Sequence, residues 1–317
     1  MRWPQIRNTE ISNYRTSVSW CFGASVLRQS RPSVFCRRRR LTLLLLCTGA
    51  LILPFTACPS RQSAGPETGR LDLWFVDSLA LPAQTGTFCA DPAGLLMPEN
   101  SGTNIMAADF ELHPQPAIPI PQRVTGILGI AADAFSIYLF DAGQLYRLDR
   151  SNGSQSTLSS NIRYEGAAML ASGELLFSDG YSDRILTFDP SGTVSDVNAR
   201  RPEFKPSALA SGPDNRIFVI NQGDQELAVF DRIGNFLRAC PLPGPANRVA
   251  VDDSANAYLL DRTGTQVWQI TRRNQVRKVT AEELGIRFVA FDIAVHHNWL
   301  YLLDQGRRVL RFRLALD

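Results

Sequence analysis

The chain is 317 residues long, 44% hydrophobic and 20% charged, a balance ordinary for a globular protein and sufficient for one large domain. Its formal charge of +3 is carried by the N-terminal end: residues 1–58 hold nine Arg against one Glu, and the remainder has 24 basic against 29 acidic groups. A net-acidic body removes the general electrostatic argument for nucleic-acid binding.

Residues 1–33 show no hydrophobic periodicity, few acids and scattered Arg, and read as a non-native extension. Four arginines, Arg37 to Arg40, then precede the apolar run LTLLLLCTGALILPF and the small pair Thr56-Ala57 before Cys58. A basic start, an apolar core of about fifteen residues and small residues before a cut site make a secretory signal over 34–57, too short to span a bilayer comfortably. Counted from Val34 as initiator, that signal has ordinary length.

The ending Leu53-Pro54-Phe55-Thr56-Ala57-Cys58 resembles the bacterial lipoprotein signal, in which the residue after the cut is a cysteine that receives fatty acyl chains. The resemblance implies lipidation at Cys58 and a domain held outside the cytoplasm at a cell-envelope membrane; an uncleaved anchor and simple secretion are the alternatives. Residues 58–70 follow as the lipidated cysteine and a Pro/Ser/Gly-rich segment without an apolar anchor, which reads as a flexible tether.

From residue 71 to 317 the sequence repeats. The segment LLFSDGYSDRILTFD from Leu175 is two short strands around a polar turn, and the same frame starts at Leu95, Ile137, Ile217, Ala257 and Leu300. The residues closing its first strand are Glu99, Asp141, Asp179, Asn221, Asp261 and Asp304, spaced by 42, 38, 42, 40 and 43. A period near forty with a few short strands per unit predicts an all-β, six-bladed β-propeller. The strand Leu71–Leu81 belongs to no complete repeat, whereas the last repeat has only three strands, so Leu71–Leu81 is expected to complete the last blade and close the ring. Inner strands are expected at Gly126–Ala132, Gly166–Leu170, Ser207–Ala210, Arg248–Asp252 and Asp292–His296. Cys89 and Cys240 fall in an inner and an outer strand three blades apart and are expected to be separate buried thiols.

Units such as GAAMLASGELLFSDGYSDRILTFDPSG resemble NHL-type repeats of six-bladed propellers, over the whole of 71–317. That resemblance implies architecture and leaves function open, because the scaffold serves binding and catalysis alike. The run Glu165-Gly166 followed by LLFSD also resembles the gluconolactonase/regucalcin-like propellers, and there implies Glu165 as a divalent-metal ligand with Asn247 as a second donor. Lys205 and Arg287 occupy comparable places and oppose a bound cation. The zinc-dependent lyase branch needs several histidines, and the chain has only His113, His296 and His297.

The acids recurring in nearly every blade are expected to bind turn backbone, since an active site uses each position once. Residues particular to one blade, on the face where inner strands begin, are the candidate binding set: Tyr164, Glu165, Tyr181, Phe204, Lys205, Asn247, Arg248 and Arg287. No phosphate-loop, serine-elbow, zincin or paired-cysteine motif is present. The expectation is a monomeric, non-catalytic binding or scaffold protein without cofactor, whose partner is an envelope protein or polymer. A metal-dependent hydrolase using Glu165 and Asn247 is the alternative. Residues 262–317 carry ten basic and five acidic groups, with Arg311 and Arg313 on one strand face, a sector suited to anionic headgroups or an acidic partner.

Overall fold

The computed structural model describes residues 68–189 and 193–315. Short apolar runs punctuated by Asx and Gly turns leave no stretch with a helical period, and no α-helix occurs among the described residues; a single 3-10 turn spans Pro213–Asn215. Two strands, β1 (Thr68–Arg70) and β2 (Leu73–Ala80), precede the repeats. The first blade is β3 (Cys89–Asp91), β4 (Gly94–Pro98), β5 (Asn104–Ala108) and β6 (Pro114–Pro119); the second is β7 (Gly129–Ala132), β8 (Ser136–Phe140), β9 (Gln144–Asp149) and β10 (Gln155–Ser160). The third is β11 (Tyr164–Met169), β12 (Leu175–Asp179), β13 (Arg184–Phe188) and β14 (Val194–Asp196), and the fourth β15 (Pro206–Ser211), β16 (Ile217–Asn221), β17 (Glu226–Phe230) and β18 (Phe236–Pro241). The fifth is β19 (Ala246–Val251), β20 (Ala257–Asp261), β21 (Gln266–Ile270) and β22 (Val276–Thr280), and the sixth β23 (Ala290–His296), β24 (Trp299–Asp304) and β25 (Arg308–Leu314). These six antiparallel sheets form the expected propeller.

The second strand of each blade is covered on both faces by its neighbours, which is why Leu175-Leu176-Phe177 and its counterparts are continuous apolar runs instead of alternating ones. The core is accordingly six clusters, each between two adjacent blades. Leu176, Ile185, Val219 and Phe230 join the third blade to the fourth, for example, and Phe88, Met97, Tyr301 and Val309 join the first to the sixth. The ring junction is therefore packed like any other interface. Across it the Tyr301 hydroxyl donates to the Phe110 carbonyl at 2.8 Å, and Arg311 donates to the same oxygen at 2.9 Å.

The outer strand of the sixth blade is β2, antiparallel to β25 from Leu73 opposite Leu314 to Ala80 opposite Arg308. Leu73 is buried in the cluster between the fifth and sixth blades, and Asp77 forms an ion pair with Arg311. Thr68–Arg70, expected within the tether, instead add to the fifth blade as β1, parallel to β22. The unpaired outer edge of β22 supplies backbone partners that composition alone does not reveal. The remaining tether, the signal and Cys58 lie outside the described residues.

The repeated acids do what a turn requires. The Asp179 carboxylate accepts from the backbone N–H groups of Arg163 at 2.9 Å and Tyr181 at 3.2 Å, and from the Ser182 hydroxyl at 2.6 Å. Asn221 accepts from the N–H of Lys205, Asp261 from those of Thr265 and Gln266, and Asp304 from that of Val289. Each ties a strand end to the loop entering the same blade's inner strand or to its own turn. Cys89 and Cys240 are both free thiols, on β3 and β18.

Candidate functional site

The inner strands run side by side around a central channel, so their first residues gather at one face, here the entry face. Gly129, Gly166, Arg248 and Asp292 hold the same register position: each pairs with the residue just before its blade's closing acid, namely Phe140, Ser178, Leu260 and Leu303. Two of the four have no side chain and two are charged; the space beside the glycines is taken by the Tyr164 ring at Gly129 and by the Ser207–Ala208 backbone at Gly166, so this side of the mouth is uncharged and the other ionic. Ahead of this position the third, fourth, fifth and sixth blades each carry a bulge, at Glu165, in Pro206–Leu209, at Asn247 and at Phe291. A bulge adds one residue to the strand and re-aims what precedes it. In these four blades the inner strand begins one or two residues earlier than expected, whereas in the second blade, which has no such bulge, β7 begins at Gly129 and not at Gly126.

The ionic half is built around Asp292, which is 7% exposed. One oxygen accepts from the Thr87 hydroxyl at 2.7 Å and the Phe88 N–H at 3.2 Å. The other accepts from the Ile293 N–H at 3.0 Å and faces Arg248 Nε at 3.4 Å. Arg248 also donates from Nη1 to the Asn247 carbonyl at 2.9 Å, which aims the guanidinium along the mouth.

On the uncharged half, Tyr164 crosses from the third blade to the second. A Cβ on Gly129 would lie 2.0 Å from the Tyr164 Cζ, so the ring occupies the space that the missing side chain leaves. Its other contact is Phe140, with ring centroids 4.7 Å apart. Burial pushes the Tyr164 phenol well above its ordinary range; the Arg248 charge opposes this, and Asp292 reinforces it. Burial likewise pushes the Cys89 thiol up, helped by the charge of Asp91 and opposed by Arg150. Deeper in, Ala131, Ala168, Ala210, Ala250 and Ala294 leave a cavity of about 210 Å³.

Of the candidate set, Tyr164, Glu165 and Arg248 line this cavity. Glu165 pairs with Arg163 at 3.0 Å. Asn247 occupies the equivalent bulge two blades on, with its Oδ1 buried and unpartnered, and does not line the cavity. Tyr181 is 70% exposed on the turn after β12, and Lys205 is exposed ahead of β15. Arg287 and Phe204 are not brought to the channel: Arg287 lines a separate cleft of about 650 Å³ with Thr265, Glu282 and Phe288, and Phe204 packs edge-on to Phe230. Sequence reasoning missed Asp292, Thr87 and Cys89. The signal was present in the repeat register, since Asp292 stands where Arg248 stands one blade earlier.

Glu165 and Asn247 do not suit a divalent cation. Such an ion needs six to eight oxygens, whereas Glu165 already holds Arg163 and the nearby Arg248 adds a second positive charge. Among the described residues, the group with ligand spacing is Asp109, Glu111 and His113, on the exposed hairpin between β5 and β6. There the Asp109 carboxylate accepts from the N–H groups of Glu111 and His113.

No protein-family model and no curated protein matches the sequence. Solved structures do match in fold. Virginiamycin B lyase from Staphylococcus aureus superposes with a TM-score of 0.58 at 9% identity, over 78% of this chain and all of that one. A catalytically inactive histidine-to-alanine variant of that lyase, with quinupristin, gives 0.56 at 11% identity over 72% of this chain and 80% of that one. A streptogramin B lyase gives 0.55 at 12% identity, covering 77% of this chain and 88% of that one. These likenesses establish the six-bladed fold.

Proposed function

We propose that the chain is a lipid-anchored propeller of the bacterial cell envelope that binds a protein or an envelope polymer at the entry mouth of its channel and performs no reaction on it. The observation that carries this is the Arg248–Asp292 pair with Thr87, sharing the cavity with Tyr164 and an alanine-rich wall. A guanidinium held in place by a buried carboxylate, facing an aromatic and apolar wall, suits a ligand group that accepts hydrogen bonds, such as an amide carbonyl or a sugar hydroxyl.

The same groups are poor reagents. Tyr164 and Cys89 stay protonated at neutral pH, and both Asp292 oxygens already accept hydrogen bonds from the protein. The similar lyases include a form inactivated by losing one histidine, whereas His113, His296 and His297 of this chain do not line the cavity. His296 instead stacks on Phe110, with ring centroids 3.6 Å apart.

The test pairs activity with capture. The purified chain, offered lactones, esters and cyclic depsipeptides, is expected to turn none of them over. Crosslinking in native envelopes followed by mass spectrometry is expected to yield a partner whose affinity falls roughly thirtyfold or more in Tyr164→Ala or Arg248→Ala, the loss typical of a binding hot spot. Ordinary turnover of any of those substrates overturns the proposal, and so does a partner indifferent to both substitutions.

A further inference from the structure

We infer that the rim of the fifth and sixth blades, on the side opposite the entry mouth, lies against an anionic phospholipid bilayer. The inference deepens the anchoring at Cys58 proposed above and rests on it. Three independent features converge on this rim.

The first is where the described chain starts. β1 runs parallel to β22 from Thr68 opposite Val276, the first residue after the turn that joins β21 to β22. Strand direction puts that turn on the exit face. Nine residues lie between Cys58 and Thr68, and a fully extended chain joining the two reaches at most about 35 Å. A lipid on Cys58 therefore keeps this part of the rim close to the membrane.

The second is an exposed apolar stripe beside it. Trp74, Phe75 and Val76 are 54%, 43% and 44% exposed on β2, at the end of the strand that pairs with Leu314 and Arg313 on the exit side. A Trp on such an edge is suited to the boundary between headgroups and acyl chains. Three consecutive exposed apolar residues on an outer strand otherwise invite aggregation.

The third is charge. Arg70, Arg272, Arg273, Lys278 and Arg313 are all exposed around the stripe. Arg272, Arg273 and Arg277 share a groove of about 840 Å³ with Leu314 and Ala315, which places them next to the start of β2. The acids of the same region are Asp72, Asp252, Asp253 and Glu283; Asp252 accepts from Ser254, Asn256 and Tyr258, Asp253 from His297, and Glu283 from Thr280 beside Arg70 and Lys278. The balance is positive, as an anionic leaflet requires. Seated this way, the propeller presents its entry mouth away from the membrane.

The experiment uses the full chain, with phosphatidylcholine vesicles and with phosphatidylcholine–phosphatidylglycerol vesicles. Hydrogen exchange is expected to slow at 73–77 and 271–277 in the anionic vesicles relative to detergent, and to stay unchanged at 163–166 and 179–183. Arg272→Gln with Arg273→Gln is expected to abolish that protection while the protein still floats with vesicles through its lipid; for a chain lacking the lipid, the two charges together change partitioning roughly thirtyfold. Mass spectrometry of the N-terminal peptide reports acylation separately. An unacylated chain that floats with anionic and not with neutral vesicles upholds the surface while removing the anchor. An acylated chain without protection at 73–77 and 271–277 overturns the surface and leaves the anchor standing, and an unacylated chain that floats with neither overturns both.

Discussion

Arg248 and Asp292 hold each other in place at the mouth, so removing one exposes the cost of the other. In Arg248→Ala the mostly buried Asp292 carboxylate keeps Thr87 and backbone donors but loses its cation, a destabilisation of about 1–2 kcal/mol for a pair that is partly exposed on the Arg side. Adding Asp292→Asn is expected to return part of that loss; chemical denaturation of the single and double variants measures it, and purely additive losses contradict the pairing. At Gly129 an added methyl meets the Tyr164 ring, so Gly129→Ala is expected to cost about 1–3 kcal/mol and to shift the Tyr164 ring resonances. Unchanged stability and an unmoved ring would contradict the packing.

The turn acids set the response to pH. For Asp179, burial works against ionisation, but donation from Ser182, Arg163 and Tyr181 outweighs it and leaves the pKa below the ordinary 3.8. For Glu226, burial is likewise outweighed, by Arg201 and Asn221, and the pKa falls below 4.5. A carboxylate depressed in the folded state contributes fully above its unfolded pKa and loses that contribution as pH falls through the folded value. Stability is therefore expected to drop as pH falls below about 4.5, and Asp179→Asn to flatten the part of that drop below about 3.8 in a series of acid melts. An acid limb identical to the parent's contradicts the assignment.

At the scale of the strand, β2 and the repeats show what a sequence discloses and what it conceals. The continuous apolar runs with their closing acids were legible because strand period and blade period are both local patterns. A spare strand ahead of the first repeat was legible by counting against three strands in the last. Bulges at Glu165 and Asn247 were not, since one extra residue in a run of small side chains leaves no mark in hydropathy. Nor was β1, a three-residue strand joined to the edge of β22 by backbone pairing. Asp292 escaped for a related reason: its partner Arg248 comes from the preceding blade and its donor Thr87 lies 205 residues away, so no local pattern joins them. Because β2 supplies Leu73 to a core cluster and Asp77 to Arg311, a chain beginning at Ala83 is expected to melt well below the parent across the whole domain and to self-associate through the bared β25 edge. A truncation that kept its melting temperature and stayed monomeric would show that β2 contributes little.

For the whole molecule, six interfaces of comparable packing hold the loops of the entry face at fixed separations, while the rim of the fifth and sixth blades carries the aromatic and basic groups suited to a membrane. Recognition at the mouth is the central claim, and site-specific photo-crosslinking in native envelopes tests it most directly. A photoreactive residue is placed at Tyr181 or Lys205, exposed on the entry face, and in parallel at Phe135 or Ile233, exposed on exit-face turns. The account predicts one shared adduct from the entry-face positions that disappears in Arg248→Ala. Adducts only from Phe135 and Ile233, or an entry-face adduct that persists when Arg248 is gone, would contradict it.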